Sequence, residues 1–144
     1  MKLLILFEGL GVAFYPAFSS TAIRDLLAEP LHARYVEYGW TSTGAPCPKE
    51  PALVISHSFG IKAGEEFAER CHLPLLSLDP RMPPTGIGAG TAPRGVRTVN
   101  FYRTGFMTGY PLPGAENHRL SSSVDHINVP AQPEVWRMVR KLGE

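Results

Sequence analysis

The chain has 144 residues, 44% hydrophobic and 19% charged, a composition typical of a globular domain that buries a core. The formal net charge is +1 and the basic residues are scattered, which excludes the concentrated positive surface of a nucleic-acid-binding protein. No apolar run approaches the roughly 18 residues of a membrane span. The apolar start is interrupted by Glu8 and has no small-residue cleavage site, so it predicts a strand and not a signal peptide. We therefore expect a cytoplasmic protein without a membrane span.

Apolar runs that alternate with helical segments predict an α/β fold. The runs at 2–7, 34–39, 52–56, 73–78 and 97–102 are nearly continuous in apolar residues, as in strands covered on both faces of a parallel sheet. Helices are predicted near 21–28, over 60–71 and from Pro133 onward. The order strand–helix–strand implies a doubly wound sheet, in which ligands bind beyond the carboxyl ends of the strands.

Cofactor and metal signals are weak. Cys47 and Cys71 lie far apart with no second pair, so neither a zinc site nor a disulfide framework is predicted. The glycine-rich run at 85–91 precedes a strand instead of opening a helix, so it does not match a dinucleotide-binding loop and predicts a flap near the site. We expect no cofactor and no metal.

The strongest local motif is Ser56-His57-Ser58-Phe59-Gly60, between an apolar strand and a predicted helix. A nucleophile elbow presents a serine on a tight, strained turn and needs small residues two positions to either side, because larger side chains would collide there. Ser58 is therefore the candidate nucleophile, with a plain helix cap as the alternative. Phe59 N–H would face a developing oxyanion, and the loop after the first strand would supply a second donor, for which we favour Leu10 N–H.

A serine hydroxyl needs a base, and the base needs an acid that holds it. His32 and His72 precede strands, and His57 adjoins the serine so that its side chain should point away. His118 and His126 remain, and His126 is preferred because it precedes the last helix, which gives the chain order serine, acid, histidine. Asp79 ends the strand that follows the elbow and is the preferred acid. Asp125 is the alternative, although its adjacency to His126 makes a good hydrogen bond awkward.

Together these residues resemble short α/β-hydrolases, the thioesterase-like or lipase-like serine hydrolases of bacteria and their phages. The segments that bear the resemblance cover most of the chain: Phe7-Glu8-Gly9-Leu10-Gly11, the elbow, Leu78-Asp79-Pro80, Val99-Asn100-Phe101-Tyr102, Pro113-Gly114-Ala115-Glu116-Asn117 and Asp125-His126-Ile127. Two features depart from the pattern: Ser56 replaces the first glycine of the elbow, and the helix before the elbow strand is abridged.

The resemblance implies a single domain over residues 1–144, with a three-layer α/β-hydrolase-type fold, about five mainly parallel strands, helices on both faces and no lid domain. It also implies hydrolysis of a small-molecule ester or thioester through Ser58, His126 and Asp79. The alternatives are an acyltransferase with the same three residues, a catalytically silent binding domain on this scaffold and, less favoured, a flavodoxin-like module. The sequence leaves the substrate, the pathway and the oligomeric state open.

Overall fold

The computed structural model describes residues 1–9, 21–81, 91–104 and 109–144. Within these ranges six strands form one sheet in the order β2-β1-β3-β4-β5-β6, and every neighbouring pair is parallel. The strands are β1 (Leu3–Phe7), β2 (Tyr35–Tyr38), β3 (Ala52–His57), β4 (Leu75–Leu78), β5 (Thr98–Tyr102) and β6 (Glu116–Arg119).

The burial of the central strands explains why their apolar runs are so clear in the sequence. All residues of β1, β3 and β4 are buried, which matches their nearly continuous apolar character. The predicted α/β class with a mainly parallel sheet is confirmed, but the expected count of about five strands is too low. The strand that the sequence missed is β6, whose residues Glu116–Arg119 are polar and mostly exposed at one edge. One side-chain bond across this edge joins Asn100 Nδ2 to Asn117 Oδ1 at 2.9 Å.

Helices lie against both faces of the sheet. Helix α1 (Ile61–Cys71) packs Phe67 into one core cluster, and helix α2 (Pro133–Leu142) packs Val139 into the other. A short π-helical turn at Arg24–Ala28 joins α2 on its face. These elements agree with the predicted helices to within a few residues. In the described ranges, no helix combines the length and apolar character needed to cross a membrane.

The connection between β2 and β3, residues 39–51, has no helix and runs as an extended strap on the face that holds α1. A disulfide between Cys47 and Cys71, with Cα atoms 5.5 Å apart, joins this strap to the end of α1. Arg70 Nη2 adds a hydrogen bond to the Ala45 carbonyl. The prediction that the cysteines are not bridged is therefore wrong, because the abridged connection brings together residues that are 24 positions apart. Disulfides are typical of oxidising compartments, so this bond is at odds with the cytoplasmic expectation.

Candidate active site

Ser58 occupies the sharp turn between β3 and α1. Its φ of 56° lies in the left-handed region, which is strained for a residue that has a Cβ. The backbone then makes one 3-10 turn over Ser58–Gly60 before α1 begins. A Cβ on Gly60 would overlap the Phe7 carbonyl oxygen, so only glycine fits at that position. This is the backbone geometry that a nucleophile elbow requires.

Ser56 stands where the elbow pattern usually has its first glycine. Its Cβ faces α1 at Gly64, and a Cβ added to Gly64 would lie only 2.9 Å from it. Glycine on the helix therefore makes the room that serine takes up on the strand. Gly64 therefore accommodates this departure from the pattern.

Of the two predicted oxyanion donors, the structure describes Phe59 but not Leu10. Phe59 N–H lies in the first turn that leads into α1, where backbone N–H groups have no intrahelical acceptor and favour negative charge. Leu10 lies outside the described residues. Its neighbour Gly9 passes close to the elbow, since a Cβ on Gly9 would lie 2.7 Å from Ser58 Cβ and 3.1 Å from Phe59 N. The backbone after β1 therefore runs directly beside the candidate nucleophile.

Glu8 joins the end of β1 to the start of the first helical turn. Its buried carboxylate accepts hydrogen bonds from Ile23 N–H and Arg24 N–H, both at 3.0 Å. Burial raises the pKa of Glu8 to about 7, against the opposing effect of these two bonds. Nearby Glu37 raises this pKa further. The Glu8 carboxyl group therefore connects the segments that precede and follow residues 10–20. Its pKa of about 7 means that this group titrates near neutral pH.

Asp79 lies just past the end of β4, with no exposed surface and a φ of 44°. Its Oδ1 accepts from Arg103 N–H at 3.1 Å and Gly109 N–H at 2.7 Å, and its Oδ2 accepts from Arg103 Nε at 3.0 Å. Burial raises the pKa of this carboxyl, but the bonds from His126, Arg103 and Gly109 outweigh that effect and lower it below the ordinary value. Asp79 is therefore held as a carboxylate in a fixed orientation.

His126 begins the 3-10 segment His126–Ala131 that precedes α2. Its Nδ1 donates to Asp79 Oδ2 at 2.5 Å, and the neutral tautomer that makes this bond has its lone pair on Nε2. The structure thus brings together the histidine and the carboxylate that the sequence selected, 47 residues apart. Among the described residues His126 forms no hydrogen bond with Ser58 Oγ. Such bonds are often long before a substrate binds.

His57 contacts the candidate base His126, a contact that the sequence did not indicate. Its ring stacks on the His126 ring with centroids 4.7 Å apart, and its Nε2 donates to the His126 carbonyl at 2.9 Å. Complete burial and the neighbouring His126 lower the pKa of His57 to about 4, so the ring stays neutral. His57 is adjacent to Ser58 in sequence, so its contact with His126 brings the elbow and the histidine segment into direct contact. The alternation of side chains along β3 is the only sequence feature that could have suggested this contact between His57 and His126.

The other candidates lie away from this cluster. His118 is on β6, where its Nε2 pairs with the exposed Glu116 carboxylate at 2.8 Å and its ring stacks on Phe101. Asp125 is exposed and does not bond to His126 in the described structure. His32 and His72 are exposed at left-handed turns. Among the residues that the structure describes, no group of three or more His, Cys, Asp and Glu side chains is arranged to hold a metal ion.

Two further side chains border the elbow and were not selected from the sequence. Trp40 follows β2 and packs its ring against Phe59, with centroids 5.9 Å apart. Arg81 follows Asp79 by two residues, and its Cζ lies 6.0 Å from the centre of the Phe59 ring. The surface beside Ser58 therefore combines two aromatic rings with a cation.

The chain was compared with models of protein families, with characterised proteins and with solved structures, and no match was found in any of the three.

Proposed function

We propose that the chain is a serine hydrolase that cleaves an ester or thioester bond, with Ser58 as nucleophile, His126 as base and Asp79 as the acid that orients the base. The observation that supports this most strongly is the 2.5 Å hydrogen bond between His126 Nδ1 and Asp79 Oδ2, next to a strained serine turn. A serine hydroxyl is unreactive without a base, and a base in the correct tautomer is what this bond provides. The resemblance to short α/β-hydrolases belongs to the same proposal.

In the proposed reaction, His126 Nε2 takes the hydroxyl proton of Ser58 as the serine oxygen attacks the acyl carbonyl. Asp79 stabilises the imidazolium that forms, and Phe59 N–H donates to the oxyanion, with Leu10 N–H as the second proposed donor. His126 then protonates the departing alcohol or thiol, which leaves the acyl group on Ser58. In the second half, His126 takes a proton from water as the water attacks the acyl-enzyme. It then gives that proton to the Ser58 oxygen as the acid is released, which restores the free hydroxyl and the neutral base.

The neutral state of His57 suits this cycle. A second positive charge 4.7 Å from His126 would oppose formation of the imidazolium. The low pKa of His57, about 4, keeps that charge away at neutral pH. The stacked ring and the bond to the His126 carbonyl would hold the base while its charge changes.

Turnover of a panel of short- and long-chain esters and thioesters tests the proposal. We expect hydrolysis by the unaltered protein and loss of about 10³-fold or more in Ser58→Ala. Ser122→Ala, at an exposed loop serine, is the matched control and should hydrolyse the panel as the unaltered protein does. Absence of turnover on every substrate, or equal turnover in Ser58→Ala, would contradict the proposal and favour a silent binding domain.

A further inference from the structure

Arg81 is fixed beside the elbow by its backbone. Its N–H donates to the Ser58 carbonyl oxygen at 3.0 Å, which connects its backbone to that of the candidate nucleophile. Its guanidinium lies over the Phe59 ring, with Cζ 6.0 Å from the ring centre. Phe59 in turn contacts Trp40. The positive charge of Arg81 therefore lies against the aromatic ring of the residue that follows Ser58.

This guanidinium has no counter-ion among the residues that the structure describes, and its Nη1 is buried without an acceptor. Arg24, Arg34, Arg94 and Arg103 each pair with a carboxylate, and among the described arginines only Arg81 has a buried side-chain nitrogen without a partner. A guanidinium presents five N–H donors and stays protonated at any physiological pH. Burying one of those donors without a partner is unfavourable, so an acceptor is expected to arrive from outside the described chain.

We infer that Arg81 binds an anionic group of the substrate, a carboxylate or a phosphate, and so selects esters or thioesters that carry negative charge. This inference rests on the proposed hydrolase function, and it adds the class of substrate. Carboxylates and phosphates accept two parallel hydrogen bonds from the planar guanidinium and also neutralise its charge. The Trp40 and Phe59 rings would cover the apolar part of the substrate next to that anion.

Two matched pairs of substrates locate the charge. The 4-nitrophenyl monoester of glutaric acid and 4-nitrophenyl valerate differ in a carboxylate at the end of the acyl chain. S-acetyl-4′-phosphopantetheine and S-acetylpantetheine differ in the phosphate on the leaving thiol. We expect kcat/KM to favour the charged member of one pair, and the pair that responds tells whether the anion is on the acyl side or on the thiol.

Arg81→Gln should reduce that charged-to-neutral ratio by about tenfold to a hundredfold, the range for a charge-assisted hydrogen bond. Arg81→Lys retains the charge but not the planar fork, so its ratio should be intermediate. Arg81→Lys also provides a measurement of the ratio if Arg81→Gln does not fold. The matched control is Arg94→Gln, because the Arg94 side chain is 95% exposed and pairs with Glu69 far from the elbow. Its ratio should equal that of the unaltered protein.

The outcomes separate this inference from the proposed function. Turnover that depends on Ser58 but shows the same ratio in the unaltered protein and in Arg81→Gln overturns the inference alone. If no substrate is turned over, calorimetric titration of glutarate and inorganic phosphate into Ser58→Ala and Ser58→Ala/Arg81→Gln still tests the anion site. Binding that is lost with Arg81 supports the site, whereas equal binding or no binding in both variants overturns it.

Discussion

Replacing Asp79 by Asn tests the core of the proposed mechanism, because the substitution keeps size and shape and changes only the charge and the hydrogen-bonding groups. The carboxylate accepts four hydrogen bonds from Arg103, Gly109 and His126. An amide has one acceptor oxygen, so its NH2 group must face donors that it cannot satisfy. Asparagine also tolerates the left-handed backbone at this position, where φ is 44°, so the backbone itself need not move.

Asp79→Asn should lower both the catalytic efficiency and the stability of the fold. His126 loses the acceptor that fixes its proton on Nδ1, so we expect kcat/KM to fall about 10³- to 10⁴-fold. Arg103, whose side chain is only 10% exposed, loses its buried counter-ion, and the free energy of unfolding should fall by about 3 kcal/mol. For a chain of this length, that corresponds to a drop in Tm of roughly 10 °C.

The stability effect of Asp79→Asn should depend on pH. The pKa of Asp79 is below its ordinary value of 3.8, so the carboxylate stabilises the fold above that pH. This stabilisation is lost as the pH falls through the lowered pKa. The difference in stability between the unaltered protein and the variant should therefore be constant above about pH 5 and become smaller in stronger acid.

The assay combines ester hydrolysis, at a temperature where circular dichroism shows the variant folded, with thermal unfolding across pH. Asp125→Asn is the matched control, because Asp125 is exposed and should leave both activity and Tm nearly unchanged. Near-normal activity of folded Asp79→Asn would refute the assignment of the acid. Loss of activity in Asp125→Asn with Asp79→Asn unaffected would transfer that role to Asp125.

Three further predictions concern the elbow and its supports. Gly60→Ala should lower the free energy of unfolding by about 2 kcal/mol or more, because its Cβ overlaps a β1 carbonyl oxygen. Denaturant unfolding against Gly39→Ala, which meets nothing within 4 Å, checks this, and equal effects would argue against a strained elbow. His57→Phe keeps a ring but loses the bond to the His126 carbonyl, so fluorophosphonate labelling should slow about tenfold; an unchanged rate would leave His57 without a positioning role. Since the pKa of Glu8 is raised from 4.5 to about 7, its contribution to stability should decline by about 3 kcal/mol as the pH rises through that interval, and Glu8→Gln should lack the decline. Parallel stability profiles in urea would contradict this.

The sequence was sufficient for the central sheet, and the reason is physical. Strands buried on both faces must be apolar throughout, so β1, β3 and β4 have an unmistakable signal. Strand β6 lies at an edge and faces water, so Glu116–Arg119 carries no such signal. The Cys47–Cys71 bond was missed for a related reason, since only the path of the strap brings the two residues together.

The candidate site was predictable where local geometry imposes residue types. The serine turn needs glycine at 60, and the candidate acid and candidate base follow from where strands and helices end. The surroundings of Asp79 were not predictable, because its partners Arg103 and Gly109 are 24 and 30 residues away and donate mainly through backbone N–H groups. Any residue except proline has such a group, so sequence alone cannot single out the donors.

Mass spectrometry after reaction with a fluorophosphonate probe tests the central role of Ser58 most directly. We expect one adduct on the intact protein, located by peptide mapping at Ser58, with much slower labelling in His126→Ala and none in Ser58→Ala. Failure of the folded protein to form an adduct, or equal labelling of Ser58→Ala, would contradict a nucleophilic serine at this turn.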